Sequence, residues 1–250
     1  MKKFLNLTII LISLSILVLI NGCDKSTSYE HDIQIKNNIH DSLKIYPIKN
    51  LEDLYDIEGA KSEDFKKGDK GKWVIHSSFA RNKGKAYVDE GMFLHINRNT
   101  REASGYYHIR KYFNDGKADR KKYKVKMING KVIPNKNVRN ENIRNKIKNF
   151  EFFGQYADLN KELKDKKVKY YSNSNVPDFQ AIYKLNEDDK IMNKLKKRYP
   201  IPYNSAEMII QGDGRSEDKV IGDKRIKIKF KQTEFNYYDT LIFEPTDESE

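Results

Sequence analysis

The chain has 250 residues, 38% hydrophobic and 34% charged, and its 48 Lys and Arg against 36 Asp and Glu leave a formal net charge of +12. Sixteen tyrosines, twelve phenylalanines and Trp73 can each bury a large area, so the polarity does not exclude a core. A single cysteine excludes any disulfide within the molecule, and stability must come from packing.

The chain begins with Lys2 and Lys3, runs almost continuously apolar from Phe4 to Ile20, and reaches Ile20-Asn21-Gly22-Cys23 before the polar run Asp24 to Ser28. A positive start, an apolar stretch and a small residue at the cut are the parts of a secretory signal. The cysteine directly after Gly22 makes the segment resemble a bacterial lipoprotein signal, although Asn21 is less usual there than a small residue. That resemblance implies cleavage after residue 22, a diacylglycerol thioether on Cys23 and acylation of its new amino terminus. Two readings compete: a plain signal with a chance cysteine, and an uncleaved anchor. The apolar run is at the lower edge of the ~17–25 residues a spanning helix needs, and Asn6 and Thr8 interrupt it. Loss of Lys2 and Lys3 with the signal lowers the charge from +12 to +10, which favours anionic neighbours such as headgroups, wall polymers or glycans. Nucleic acid is a poor partner for an exported, tethered chain. The same lysines also suit solvated strand faces.

Residues 23–32 read as the lipidated cysteine and a polar tether, and 33–250 as a single domain. Ile33, Ile35, Ile39, Leu43 and Ile45 roughly fit a helix closed by Pro47, and Leu51, Leu54 and Tyr55 suggest a further helical turn. Alternation predicts strands at Lys72–Ser78, Met92–Asn97, Ser104–Tyr112 and Lys122–Ile128, the last followed by an Asn129-Gly130 hairpin turn. A helix is predicted from Asn140 as N-cap to Phe153, with Gly154 as its stop, and a possible seam falls at 154–167. Strands at Val168–Ser172 and Phe179–Leu185 precede a helix over Glu187–Tyr199, capped by Asn186 and ended by Pro200 and Pro202. Strands at Glu207–Gln211, Arg225–Lys231 and Thr240–Glu244 close the chain before an acidic tail at 247–250. This order predicts an α+β fold, a largely antiparallel β-sheet with a few inserted helices.

Few motifs carry chemistry. Gly68-Asp69-Lys70-Gly71-Lys72 lacks phosphate-loop spacing and puts Trp73 where a hydroxyl belongs, so a turn before a strand is expected. Gly212-Asp213-Gly214 reads as a loop tip without a calcium-binding series, and Ser216 to Lys219 is an isolated Ser-x-x-Lys. His76, His95 and His108 lie on consecutive predicted strands, opposite the apolar faces, and could offer imidazoles to a metal if the register aligns. Exposed histidines on a polar sheet face are the ordinary alternative. No catalytic residues and no cofactor are assigned. Basic clusters occur at Arg120, Lys121 and Lys122, at Lys164 to Lys167, and at Lys194, Lys196, Lys197 and Arg198, where Ile191 and Leu195 should face the core.

Seven segments carry a wider resemblance: Tyr46–Asp56, Asp64–Ile75, Asp89–Tyr107, Asn149–Asp158, Ser174–Pro177, Arg198–Pro202 and Asp239–Pro245. In order and content the chain resembles the tandem-type lipoproteins of staphylococci, the conserved staphylococcal antigens. The resemblance implies a membrane-anchored, non-enzymatic surface lipoprotein whose lipid is recognised by a host innate immune receptor. For some members it implies a part in host-cell entry. Only Cys23 carries over as a functional position. The expected location is the extracellular face of the cell membrane, with the bilayer as partner through Cys23 and an anionic host-surface or wall component as a second partner. The rival readings are a small-ligand- or metal-binding lipoprotein serving a transporter, which needs an enclosed cleft, and a wall-modifying hydrolase.

Overall fold

The computed structural model describes residues 36–173, 176–213, 221–230 and 235–246. Cys23, the signal and the tether lie outside these residues, as do Gly214, the Ser216 to Lys219 motif and the 247–250 tail. Alternation from Lys72 onward produces ten strands: β1 (Lys72–Lys83), β2 (Ala86–Asn97), β3 (Glu102–Phe113), β4 (Ala118–Ile128), β5 (Lys131–Pro134), β6 (Val168–Asn173), β7 (Val176–Asn186), β8 (Ser205–Asp213), β9 (Lys224–Phe230) and β10 (Phe235–Glu244). They form one sheet in the order β5-β4-β3-β2-β1-β10-β9-β8-β7-β6. Two meanders, β1 to β5 and β6 to β10, are joined by the central antiparallel pair β1 and β10, in which Ser77 opposes Asp239. The expected class holds in outline: pairing between the strands is antiparallel, and the sheet outweighs the helices.

The helices are short. Residues 36–42 are helical, Leu51–Tyr55 forms a 3-10 turn capped by Asn50, and four α-helices follow: α1 (Glu141–Lys148), α2 (Phe153–Tyr156), α3 (Leu159–Leu163) and α4 (Lys190–Arg198). Asn140 caps α1 as expected, its side chain accepting from the Ile143 amide at 3.1 Å. That helix stops at Lys148, not Phe153. Asn149 is its C-cap and Phe152 is extended, so Phe150, Phe152 and Phe153 continue the apolar pattern without continuing the helix. Asp189, not Asn186, is the N-cap residue of α4, and its carboxylate accepts from the Asn186 amide at 2.6 Å. Within the stretch 154–167, Ala157 and Leu159 are fully buried in the same core as the sheet.

Side-chain alternation divides the sheet into two faces. The inner face carries Trp73, Ile75, Phe79, Met92, Leu94, Ile96, Ile210, Ile228, Tyr237 and Leu241, all buried. The helices and the segment ahead of β1 add Ile39, Leu43, Leu54, Ile147, Phe153, Leu159 and Leu195 to this one core. Trp73 is completely buried; its indole N–H donates to the Ile57 carbonyl at 3.0 Å and its ring lies 4.8 Å from Phe243. The glycine loop before β1 is a turn. Asp69 accepts from the Gly71 amide, the Asn99 amide group and Thr246, and these bonds hold its carboxyl down at about 2 despite partial burial.

Candidate functional site

The outer face of the sheet is the surface opposite the helical layer, and its composition is set by the residues between the apolar ones. On β4 the buried Val125 and Met127 alternate with exposed Arg120, Lys122, Lys124 and Lys126. On β9 the buried Ile226 and Ile228 alternate with Arg225, Lys227 and Lys229. Register then connects the two rows of cations across the sheet. One cross-strand row reads Arg225, Thr240, His76, Phe93, Tyr106, Lys124; the next reads Lys227, Tyr238, Ser78, Gly91, His108, Lys122. A third runs from Lys229 through Asn236, Ala80, Asp89 and Arg110 to Arg120. Each begins and ends on a cation. At ~4.8 Å per strand the cation rows are about 24 Å apart, and within a row the charges recur every ~7 Å.

Between them is an aromatic centre. His76 stacks on Phe93 at 3.8 Å between centroids, Phe93 lies 5.2 Å from Tyr106, and the Lys122 ammonium sits 4.3 Å over the Tyr106 ring. Arg120 and Arg110 approach Tyr112 and Phe93 in the same way, at 5.9 and 5.8 Å. Such contacts hold cations over ring faces, and of the three only Arg110 also approaches a carboxylate, Asp89 at 3.6 Å, among the described residues. Gly91 allows the strands to close here: a Cβ would meet the Ser77 carbonyl oxygen at 2.3 Å.

The three histidines do share this face, as alternation predicts, but they do not converge. His76 and His108 have ring centroids 5.6 Å apart, and His108 Nε2 is 3.1 Å from Asp89 Oδ2. His95 opposes Val74 and Ser104 and borders a separate hollow with Asn97 and Lys126. Among the described residues no group of three His, Cys, Asp or Glu is placed to hold a metal. Burial, reinforced by His108 and Arg110, pushes His76 down to about 3, so it is neutral at neutral pH. Burial alone would raise Asp89, yet the hydrogen bond from His108 and the charge of Arg110 hold its carboxyl below the ordinary range.

The sequence-marked basic clusters divide. Arg120 and Lys122 belong to the outer face, whereas Lys121 falls on the alternate side of β4 within 4.0 Å of Asp119. On α4, Lys197 is exposed, but Lys194 donates to the Tyr156 carbonyl at 2.7 Å and to Glu162, whose side chain is only 6% exposed. Lys196 donates to Asn204 at 2.6 Å, and Arg198 pairs with Glu151 and lies 3.8 Å over Tyr156. Lys194 and Arg198 are therefore ties between elements. Lys124, Lys126, Arg225, Lys227 and Lys229, unmarked as clusters in the sequence, complete the rows. Their signal was the period of two in Lys122–Ile128 and Lys224–Phe230, which spaces the cations apart along the chain.

The fold thus defines a protein with one antiparallel sheet, its helical layer on one face and a basic, aromatic surface on the other. The chain belongs to the Csa1 family, which its residues 31–246 match. It is 40% identical over 250 residues to an uncharacterized lipoprotein of Staphylococcus epidermidis, covering 96% of each chain. A second uncharacterized lipoprotein of that species is 40% identical over 263 residues, with 99% of both chains covered. Among solved structures, the Mycobacterium tuberculosis lipoprotein LppX matches at a TM-score of 0.35 and 8% identity, over 72% of this chain and 90% of that one. So distant a likeness carries no conclusion about this protein.

Proposed function

We propose that this protein is a lipoprotein of the outer face of the cell membrane, anchored through acylated Cys23. It acts without catalysis and meets an anionic host-cell surface with the outer face of its sheet, bare of helices among the described residues, while its lipid is sensed by a host innate immune receptor. The anchor rests on Cys23 behind its apolar run and on relatives that are named lipoproteins over nearly their whole length. No helix of the described residues is long and apolar enough to cross a membrane. One acyl chain binds a bilayer only marginally, whereas two at ~0.8 kcal/mol per buried CH₂ hold stably. The observation that carries the surface role is the pair of cation rows joined register by register across an aromatic centre.

Metabolic labelling with a palmitate analogue tests the anchor. The native chain should incorporate label and fractionate with membranes. Cys23→Ala should lose the label, remain unprocessed and lose lipid-dependent immune stimulation. Undiminished label and stimulation in that variant would refute the anchor.

A further inference from the structure

On the opposite side of the sheet from the bare face, a cleft of about 550 Å³ is lined by residues of α1 and of β1 to β3. This is within the ~300–1,000 Å³ typical of small-molecule sites. Its floor is aromatic. Phe79 and Tyr107 are buried beneath, and Phe150 and Tyr199, both half-buried, line it as well. Phe79 and Tyr199 lie 4.9 Å apart, and Tyr107 meets Phe150 edge to face at 6.2 Å.

One wall is an amide ladder. Asn142, Asn145 and Asn149 recur at spacings of three and four on the exposed side of α1, while Ile143 and Ile147 anchor its other side in the core. The acids in the walls are already neutralised: Glu90 accepts from the Tyr107 hydroxyl and from Lys146, and Glu151 is paired with Arg198. Arg81 and Lys83 line the remaining wall. Among the described residues neither has a carboxylate within ion-pair distance, and Arg81 lies 5.8 Å from the Phe79 ring.

We propose that this cleft binds an anionic saccharide, one sugar ring carrying a carboxylate or a phosphate. Aromatic faces suit the C–H faces of a sugar ring, since both are apolar and flat. Each asparagine amide offers an acceptor and two donors, which matches hydroxyls that both give and accept. Arg81 and Lys83 supply the charge-assisted bonds for the anionic group. A purely apolar ligand would use the aromatic floor alone and would gain nothing from the amide ladder or from the two cations. The site is independent of the bare face and of the anchor.

The test is saturation-transfer NMR and calorimetric titration of the full lipidated chain in detergent, with three probes: N-acetylglucosamine, its 6-phosphate, and glucuronic acid. The phosphate and the carboxylate arms separate the two sources of negative charge. At least one anionic probe should bind saturably and more tightly than the neutral sugar. Asn145→Ala, at an exposed position, should weaken it about tenfold. Arg81→Ala should erase the preference for the anionic probe, and Lys124→Ala on the bare face should leave binding unchanged. Unaltered thermal unfolding would show that the variants remain folded. The proposal is overturned if no probe binds at millimolar concentration, if the neutral sugar binds as well as the anionic ones, or if Lys124→Ala weakens binding as much as Asn145→Ala.

Discussion

Asp239 is a carboxyl in the middle of the core, on the inner face of β10 directly opposite Ser77. The Ser77 hydroxyl donates to it and in turn accepts from the Phe153 amide at 3.0 Å, so this chain of bonds ties the first residue of α2 to the central strands. Burial pushes its carboxyl from 3.8 up to about 8, against the opposing pull of Ser77 and the Phe153 amide. In the unfolded chain the group releases its proton near the ordinary value. Between about 4 and about 8 the folded protein therefore holds a proton that the unfolded chain has lost. Its contribution is fully present below that window and falls as pH rises through it, at no more than ~1.4 kcal/mol per pH unit. His76 acts the other way: it is neutral when folded, so acid below its ordinary value of 6.5 favours the unfolded chain. Comparing variants isolates the carboxyl. Asp239→Asn keeps an acceptor for Ser77 and should gain stability relative to the parent as pH rises from 5 to 8. Urea unfolding across that range measures the difference, and a constant difference would show that Asp239 does not titrate there.

Among the elements, Lys194 illustrates how one side chain joins three helices. Its ammonium reaches from α4 to the carbonyl of Tyr156 at the end of α2 and to Glu162 in α3. Lys194→Ala leaves a nearly buried carboxylate without that donor and should cost ~1–3 kcal/mol in urea unfolding. Lys197→Ala, three residues along and exposed, should stay within ~0.5 kcal/mol of the parent. Equal effects would mean that the Lys194 contact contributes nothing. The sequence could not separate these lysines, because helical spacing fixes a face but not the acid that another helix brings to it. Strand cores were readable for the opposite reason, since burial on one face writes a period of two into the chain. The Asn129-Gly130 turn was readable too, and both residues have positive φ, 51° and 69°. Strand ends were not. β1 runs on to Lys83 through Arg81 and Asn82, where backbone pairing to Tyr87 and Ala86 persists without apolar alternation. β10 starts at Phe235, and adjacent Tyr237 and Tyr238, one fully buried and one facing outward, hide the period.

At the scale of the whole molecule, the outer face exists only because β4 and β9, about a hundred residues apart in the chain, are placed in one sheet by the β1 and β10 pairing. That juxtaposition has no local signature, which is why runs of basic residues in the sequence point to α4 and not to β9. The arrangement makes a collective prediction. Near an anionic surface each such cation contributes ~1 kcal/mol, decaying over a Debye length of ~8 Å at physiological salt. Charges in rows ~7 Å apart can act together on one flat partner. The chain freed of its lipid should therefore bind anionic vesicles and host cells at low salt, and progressively less toward physiological salt. Lys122, Lys124 and Lys126 are exposed, so reversing all three to glutamate removes most of one row and should weaken that binding strongly with little change in thermal stability. Reversal at Lys194 and Arg198 should instead lower stability, because both already serve Glu162 and Glu151. Vesicles with neutral headgroups give the baseline, and purified wall polymer in place of host cells would reveal a wall partner. Salt-independent binding, or full binding by the triply reversed chain, would mean that the cation rows only solvate the sheet and that recognition lies on another face.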